Sequence, residues 1–207
     1  MGHGSLNAGW EDDRRVSGGL RRFMDRADHS QAVLDRAGCE SAAMSDPDDT
    51  LPGVRADRNV RAFLDMLAHS EIGPALLAIS DNGYNVCVGS TPKKPILFSD
   101  YSKHPKIRNV ETNSDAAGRY QFMGRYWEHY KAQLDLPDFG PESQDLWALQ
   151  LIRECRALKL IQEGRFPLAV EACRSRWASL PGAGYGQHEN SLASLTDAYE
   201  AAGGTVA

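Results

Sequence analysis

The stretch "FLDMLAHSEIG", residues 63–73, sets a carboxylate on an otherwise apolar helical stripe. Counting back from Glu71 by four, seven and eleven positions reaches Leu67, Leu64 and Val60, which share one helix face with it. An acid on the buried face is desolvated, and desolvation raises a carboxyl pKa. A carboxylic acid that keeps its proton near neutral pH is what general-acid bond cleavage requires. Ser70 beside it, and Gly73 where the helix must stop, suit the lip of a cleft. A glutamate in a helix's last turn is usually solvated; the stripe argues otherwise here.

Three further stretches carry candidate ligand-binding groups. In "GRYQF" (118–122), Gly118 is expected to open a helix through a tight turn. Tyr120 and Gln121 then offer a hydroxyl and an amide to a polar ligand, or merely plug a helix start. In "WASLPGAGYGQ" (177–187), Gly182, Gly184 and Gly186 follow a G-x-G-x-G spacing. No strand precedes them and no Gly-Lys-Ser/Thr follows, which excludes a phosphate loop. Trp177 and Tyr185, with Leu180 and Gly182 between them, suit the C–H faces of sugar rings; a plain turn is the alternative. In "FSDYSKHP" (98–105), Asp100 is a candidate second carboxylate flanked by Ser99 and Tyr101, and His104 is expected at the surface. A G-x-S-x-G elbow is missing, and His69 one turn from Asp65 reads as an exposed ion pair, not a dyad. With no H-E-x-x-H or other metal spacing, neither a metal nor a cofactor is expected.

The elements that must hold these groups follow from periodicity. Asp57 or Asn59 can cap a helix running to about Ser70. The runs "GYNVCVG" (83–89) and "ILFSDY" (96–101) predict a small hairpin. Phe122, Tyr126, Tyr130 and Leu134 repeat at i+4 and predict a helix. Pro141 suits a helix start, with Leu146, Leu149, Ile152 and Leu160 following at helical intervals. Pro167 opens another helix, with Val170, Cys173 and Trp177 facing inward. A last helix with Leu192, Leu195 and Tyr199 ends at Gly203-Gly204. Many helices and one small hairpin give an α+β or mostly-α domain over residues 57–207. Residues 1–56 are rich in Gly, Ser, Asp and Arg and are expected to form a disordered leader, with Met44 an alternative start.

Composition narrows the function classes. The 207 residues are 42% hydrophobic and 25% charged, ordinary for a globular protein. A net charge of −5 argues against nucleic acid as partner, which surplus Lys and Arg would capture. No apolar run approaches the ~20 residues a bilayer demands, so membrane insertion is not expected, and the start lacks a secretory signal. Cys39, Cys87, Cys155 and Cys173 form no C-x-x-C pair and are expected to be reduced. A Cys155–Cys173 disulfide is left open.

Over about residues 60–206, "AFLDMLAHSE", "GYNVCVGS", "LFSDYSKHP", "AGRYQF", "SQDLWALQLI", "WASLPGAGYGQ" and "EAAGGTV" occur in one order. Together they resemble the lambda-type phage lysozymes, endolysins that act as lytic transglycosylases. The resemblance implies a lysozyme-like α+β fold, mostly helical, with a hairpin lobe and a cleft between lobes. It implies peptidoglycan glycan strands as substrate, cleaved between N-acetylmuramic acid and N-acetylglucosamine. Glu71 is then the single catalytic carboxylate. The implied substrate-binding residues are Ser99, Asp100, Tyr101, Tyr120, Gln121, Trp177, Leu180, Gly182 and Tyr185. The implied protein is a monomer held in the host cytoplasm until a holin releases it to the wall. A hydrolytic muramidase using Asp100 or Asp81, or a non-catalytic wall-binding phage protein, are the alternatives. Departures from the family pattern are Asn85 for aspartate in "GYDV", His69 for tryptophan, and an unusually apolar "IGPALLAISDNG".

Overall fold

The computed structural model describes residues 54–55, 57–184, 186 and 188–207. Apart from Val54 and Arg55, the expected leader and Met44 lie outside the described residues. Val54 is buried in the core, its carbonyl accepting the Asp57 amide at 3.1 Å, and Arg55 reaches Asp145 at 2.8 Å. These two therefore pack as part of the body.

Helix α1 spans Arg58–Ile72 and starts where the Asp57 carboxylate accepts the Val60 amide at 3.0 Å. Its stripe of Val60, Leu64 and Leu67 is no more than 4% exposed. Gly73 ends it at φ 78°, a left-handed conformation that side chains other than glycine's resist, and Pro74 starts the short α2, Pro74–Leu77. After a long irregular segment come a 3-10 turn Gly124–Tyr126 and α3, Trp127–Leu134. Then follow α4 (Pro141–Glu154), α5 (Leu158–Gln162), α6 (Phe166–Cys173) and α7 (Leu192–Ala201). No described helix is long and apolar enough to cross a membrane.

Two aromatic clusters fix the helices around α1. Phe63 of α1 meets Phe166 of α6 edge-on at 6.0 Å, and Phe166 stacks on Tyr199 of α7 at 4.5 Å. On the other side Phe122 stacks on Trp147 of α4 at 4.0 Å, with Tyr130, Trp127 and Phe139 packed around them. Burying rings of this size dominates a core's energetics.

The segment between α2 and α3 departs from expectation. The runs 83–89 and 96–101 do meet antiparallel, but only through the isolated bridge Val86↔Leu97, and no continuous strand forms among the described residues. The reason is competition for backbone groups. Val88 gives its amide to Ala116, Gly118 donates to Val86, and the Ser90 hydroxyl takes both the amide and carbonyl of Ile96. Nor does "GRYQF" open a helix: Ala117 and Phe122 pair with each other and close a tight turn, with Gln121 at φ 50°. Phe122 thus precedes α3 and serves the core. His104, expected at the surface, is 1% exposed, its Nε2 2.9 Å from the Phe122 carbonyl and its ring against Phe139. Cys155 and Cys173 are both free thiols. Asp65 pairs with Arg119 across the fold.

Gly118 shows how tight the turn is. At φ 83°, a Cβ there would collide with the Gln144 amide. That buried amide accepts from Arg119 N at 2.9 Å and donates to the Tyr84 and Phe139 carbonyls. Gly118→Ala is expected to cost about 2–3 kcal/mol from backbone strain and clash. Urea denaturation checks it; unchanged stability would contradict this packing.

Candidate active site

Glu71 lies in the last turn of α1 and lines a cavity of about 250 Å³. Opposite it are Val86, Cys87, Val88 and Ser90 from the bridged segment, Gln121 from the tight turn, and Trp177 from the segment after α6. Among the described residues lining this cavity, Glu71 is the sole carboxylate. The residue is half-buried, but its carboxyl is desolvated, and burial lifts its pKa from 4.5 to about 7. The Ser179 hydroxyl opposes this, donating to Oε1 at 2.5 Å and favouring the anion. The outcome is an acid half-protonated near neutrality.

A hydrogen-bonded cluster stands behind the carboxyl. Ser70 and Ser179 hydroxyls lie 2.7 Å apart, and the Asn190 amide donates to the Ser70 hydroxyl at 3.0 Å. Neither Ser179 nor Asn190 stood out in the sequence. The available signal was a serine set between Trp177 and Leu180, two residues with inward-facing character.

The other sequence-derived candidates are distributed unevenly. Gln121 and Trp177 line the cavity with Glu71, and the Gln121 amide nitrogen is spent on the Gly118 carbonyl at 2.9 Å. Trp177 is held by its indole N–H, 3.3 Å from the Tyr120 carbonyl. Tyr120 is 2% exposed and donates its hydroxyl to Asp145 at 2.7 Å, so that hydroxyl serves the interior. Its ring joins Gln121 and Trp177 around an adjoining cavity of about 80 Å³. Leu180 is fully buried. The Gly182 and Gly184 amides both donate to Glu189, at 2.8 and 2.7 Å, so these two amides are filled by the chain's own carboxylate. Tyr185 lies outside the described residues.

Ser99, Asp100 and Tyr101 do not line the cavity. Tyr101 donates to Asp81 at 2.7 Å, and its carbonyl accepts the Phe139 amide, which ties the bridged segment to the helices. Asp100 is exposed and accepts the Ser102 amide, which holds its carboxyl below the usual range. Asn85 accepts the Asp81 amide at 3.0 Å and so braces a turn.

The chain has clear relatives. Residues 61–206 match the family model described as Endolysin. The endolysin of Escherichia phage P2 is 48% identical over 166 residues, covering 76% of this chain and all of the relative. The endolysin of Escherichia phage lambda is 45% identical over 157 residues, covering 74% of this chain and 96% of the relative. Among solved structures, bacteriophage lambda lysozyme complexed with a chitohexasaccharide matches with a TM-score of 0.67 at 45% identity. It covers 72% of this chain and 97% of that one.

Proposed function

This chain belongs to the endolysin family as a lysozyme of the lambda type, and from that premise we propose that it cleaves peptidoglycan as a lytic transglycosylase. The substrate is the β-1,4 bond from N-acetylmuramic acid to N-acetylglucosamine, and residues 57–207 form the catalytic unit. The lambda lysozyme's complex with a chitohexasaccharide supports a glycan strand as ligand. One observation carries the mechanism: Glu71 is the only carboxylate among the described residues of the cavity wall, and its pKa lies near 7.

Protonated Glu71 gives its proton to the glycosidic oxygen as the bond to the muramic C1 breaks, which frees the N-acetylglucosamine 4-hydroxyl. The muramic C6 hydroxyl then closes on C1 and returns its proton to the Glu71 carboxylate. No water is consumed, and the product end is a 1,6-anhydro sugar. A hydroxyl tethered to the reacting ring has a high effective concentration. A second carboxylate to activate water, as in ordinary glycosidases, is therefore unnecessary.

A hydrolytic muramidase would need such a partner. Asp81 accepts from Tyr101, Asp100 from the Ser102 amide, and neither lines the cavity. Mass spectrometry of digested wall glycans is expected to find anhydro-muramic ends. Reducing ends one water heavier would replace this mechanism with hydrolysis.

A further inference from the structure

The cluster behind Glu71 has a direction. Asn190 Nδ2 faces the Ser70 carbonyl at 3.3 Å, the Ser179 carbonyl at 3.4 Å and the Ser70 hydroxyl at 3.0 Å. Carbonyl oxygens only accept, so the amide nitrogen, not its oxygen, must point into the cluster. The Asn190 backbone amide also donates to the Ser179 carbonyl at 2.8 Å, which fixes the residue against the segment that carries Ser179. An ionised Glu71 can only accept, so Ser179 gives its single proton to Oε1 at 2.5 Å and takes that of Ser70 at 2.7 Å. The Asn190 N–H fills a lone pair on the Ser70 oxygen, which favours that same direction.

We propose that Asn190 is a positioning residue for the acid. It orients the chain Asn190 to Ser70 to Ser179 to Glu71 so that every hydroxyl proton points toward the carboxylate. Because Oε1 is held as an acceptor, the proton that Glu71 delivers sits on Oε2, and the same oxygen retrieves a proton afterwards. Without the amide, the two serines can reverse, and Ser179 can accept from Glu71 instead of donating to it. Donation to a charged acceptor is the stronger of the two arrangements, so reversal disfavours the anion.

This proposal rests on the reading of Glu71 as the acid, but its test does not. The other charged or titratable neighbours are His69 on α1, Cys87 and Arg176 on the cavity wall, and His188 and Glu189 beside Asn190. Arg176 is paired with Glu154 at 3.2 Å, and Glu189 is held by the Gly182 and Gly184 amides. None is among the causes that shift Glu71, which are burial and Ser179.

The experiment is a carboxyl 13C NMR titration of the full-length, substrate-free protein, with Glu71→Gln identifying the Glu71 resonance. In Asn190→Leu the Glu71 midpoint is expected to rise by about one pH unit, the loss of one charge-assisted hydrogen bond. Ser70→Ala removes the middle link and is expected to shift it in the same direction. The alkaline fall of kcat/KM should move with the midpoint in both. A lowered Tm with an unmoved midpoint would mean that Asn190 is merely structural, and overturns the proposal. So does a shift in Asn190→Leu that Ser70→Ala does not share. If Asn190→Leu does not fold, Ser70→Ala decides alone. An active Glu71→Gln would sink the catalytic reading and leave the titration result standing.

Discussion

Glu71→Gln is expected to abolish glycan cleavage while leaving the protein folded and, in alkaline solution, more stable. The variant keeps shape and removes the proton. Because the proposed mechanism uses one carboxyl as acid and then as base, both halves of the reaction lose their proton carrier, a fall of about three orders of magnitude or more. The stability change follows from linkage. Unfolded Glu71 ionises near 4.5, whereas the folded residue holds its proton to about 7. Below 4.5 both states are protonated and the residue is neutral in its effect. As pH rises from 4.5 through 7 the unfolded state ionises first, so stability drains away. Above 7 the full cost of burying the anion is present, about 3 kcal/mol. Glutamine carries no such cost. Urea denaturation should therefore show the variant more stable near about pH 8.5 and equal to the parent near about pH 4. Retained cleavage, or a stability gain independent of pH, would refute the assignment of a buried acid.

Asp145→Ala carries the largest expected loss of stability. Asp145 lies on α4 and is 6% exposed. One oxygen accepts the Tyr84 and Tyr120 hydroxyls at 2.9 and 2.7 Å, and the other receives Arg55 at 2.8 Å. Truncation leaves the Tyr84 and Tyr120 hydroxyls without their acceptor and Arg55 with only the exposed Glu142 at 3.4 Å, and breaking a buried charge network from one side costs about 3–5 kcal/mol. The effect should extend to the cavity, because the Tyr120 carbonyl anchors the Trp177 indole. Activity is expected to fall along with Tm, and tryptophan fluorescence should report the loosened Trp177. A Tm near the parent's would show that these hydroxyls find other partners.

Several elements were legible because neighbours a few residues apart encode them. The stripe of Val60, Leu64 and Leu67 put Glu71 on the inner face of α1, and Asp57 caps that helix in the structure. Pro141 and Pro167 sit at helix starts as their fixed φ requires. Where short-range patterns competed with tertiary partners they misled. "GRYQF" looks like a helix start, but Gly118 and Gln121 adopt positive φ to close a turn around the Gln144 amide. His104 carries polar neighbours in sequence and is nonetheless buried on Phe139, because its ring nitrogen finds the Phe122 carbonyl.

That an acid sits at the end of the first helix on its apolar face is legible in residues 60–71 alone, since a 3.6-residue period needs only local chain. What that acid meets depends on segments far away in the chain. Ser179 is 108 positions away from Glu71 and Asn190 is 120 from Ser70. A hydrogen bond's geometry at such separation depends on how α1, α6 and α7 pack, which no local pattern encodes. The burial that raises Glu71 and the hydroxyl that restrains it come from those distant segments, and their balance sets the acid's strength.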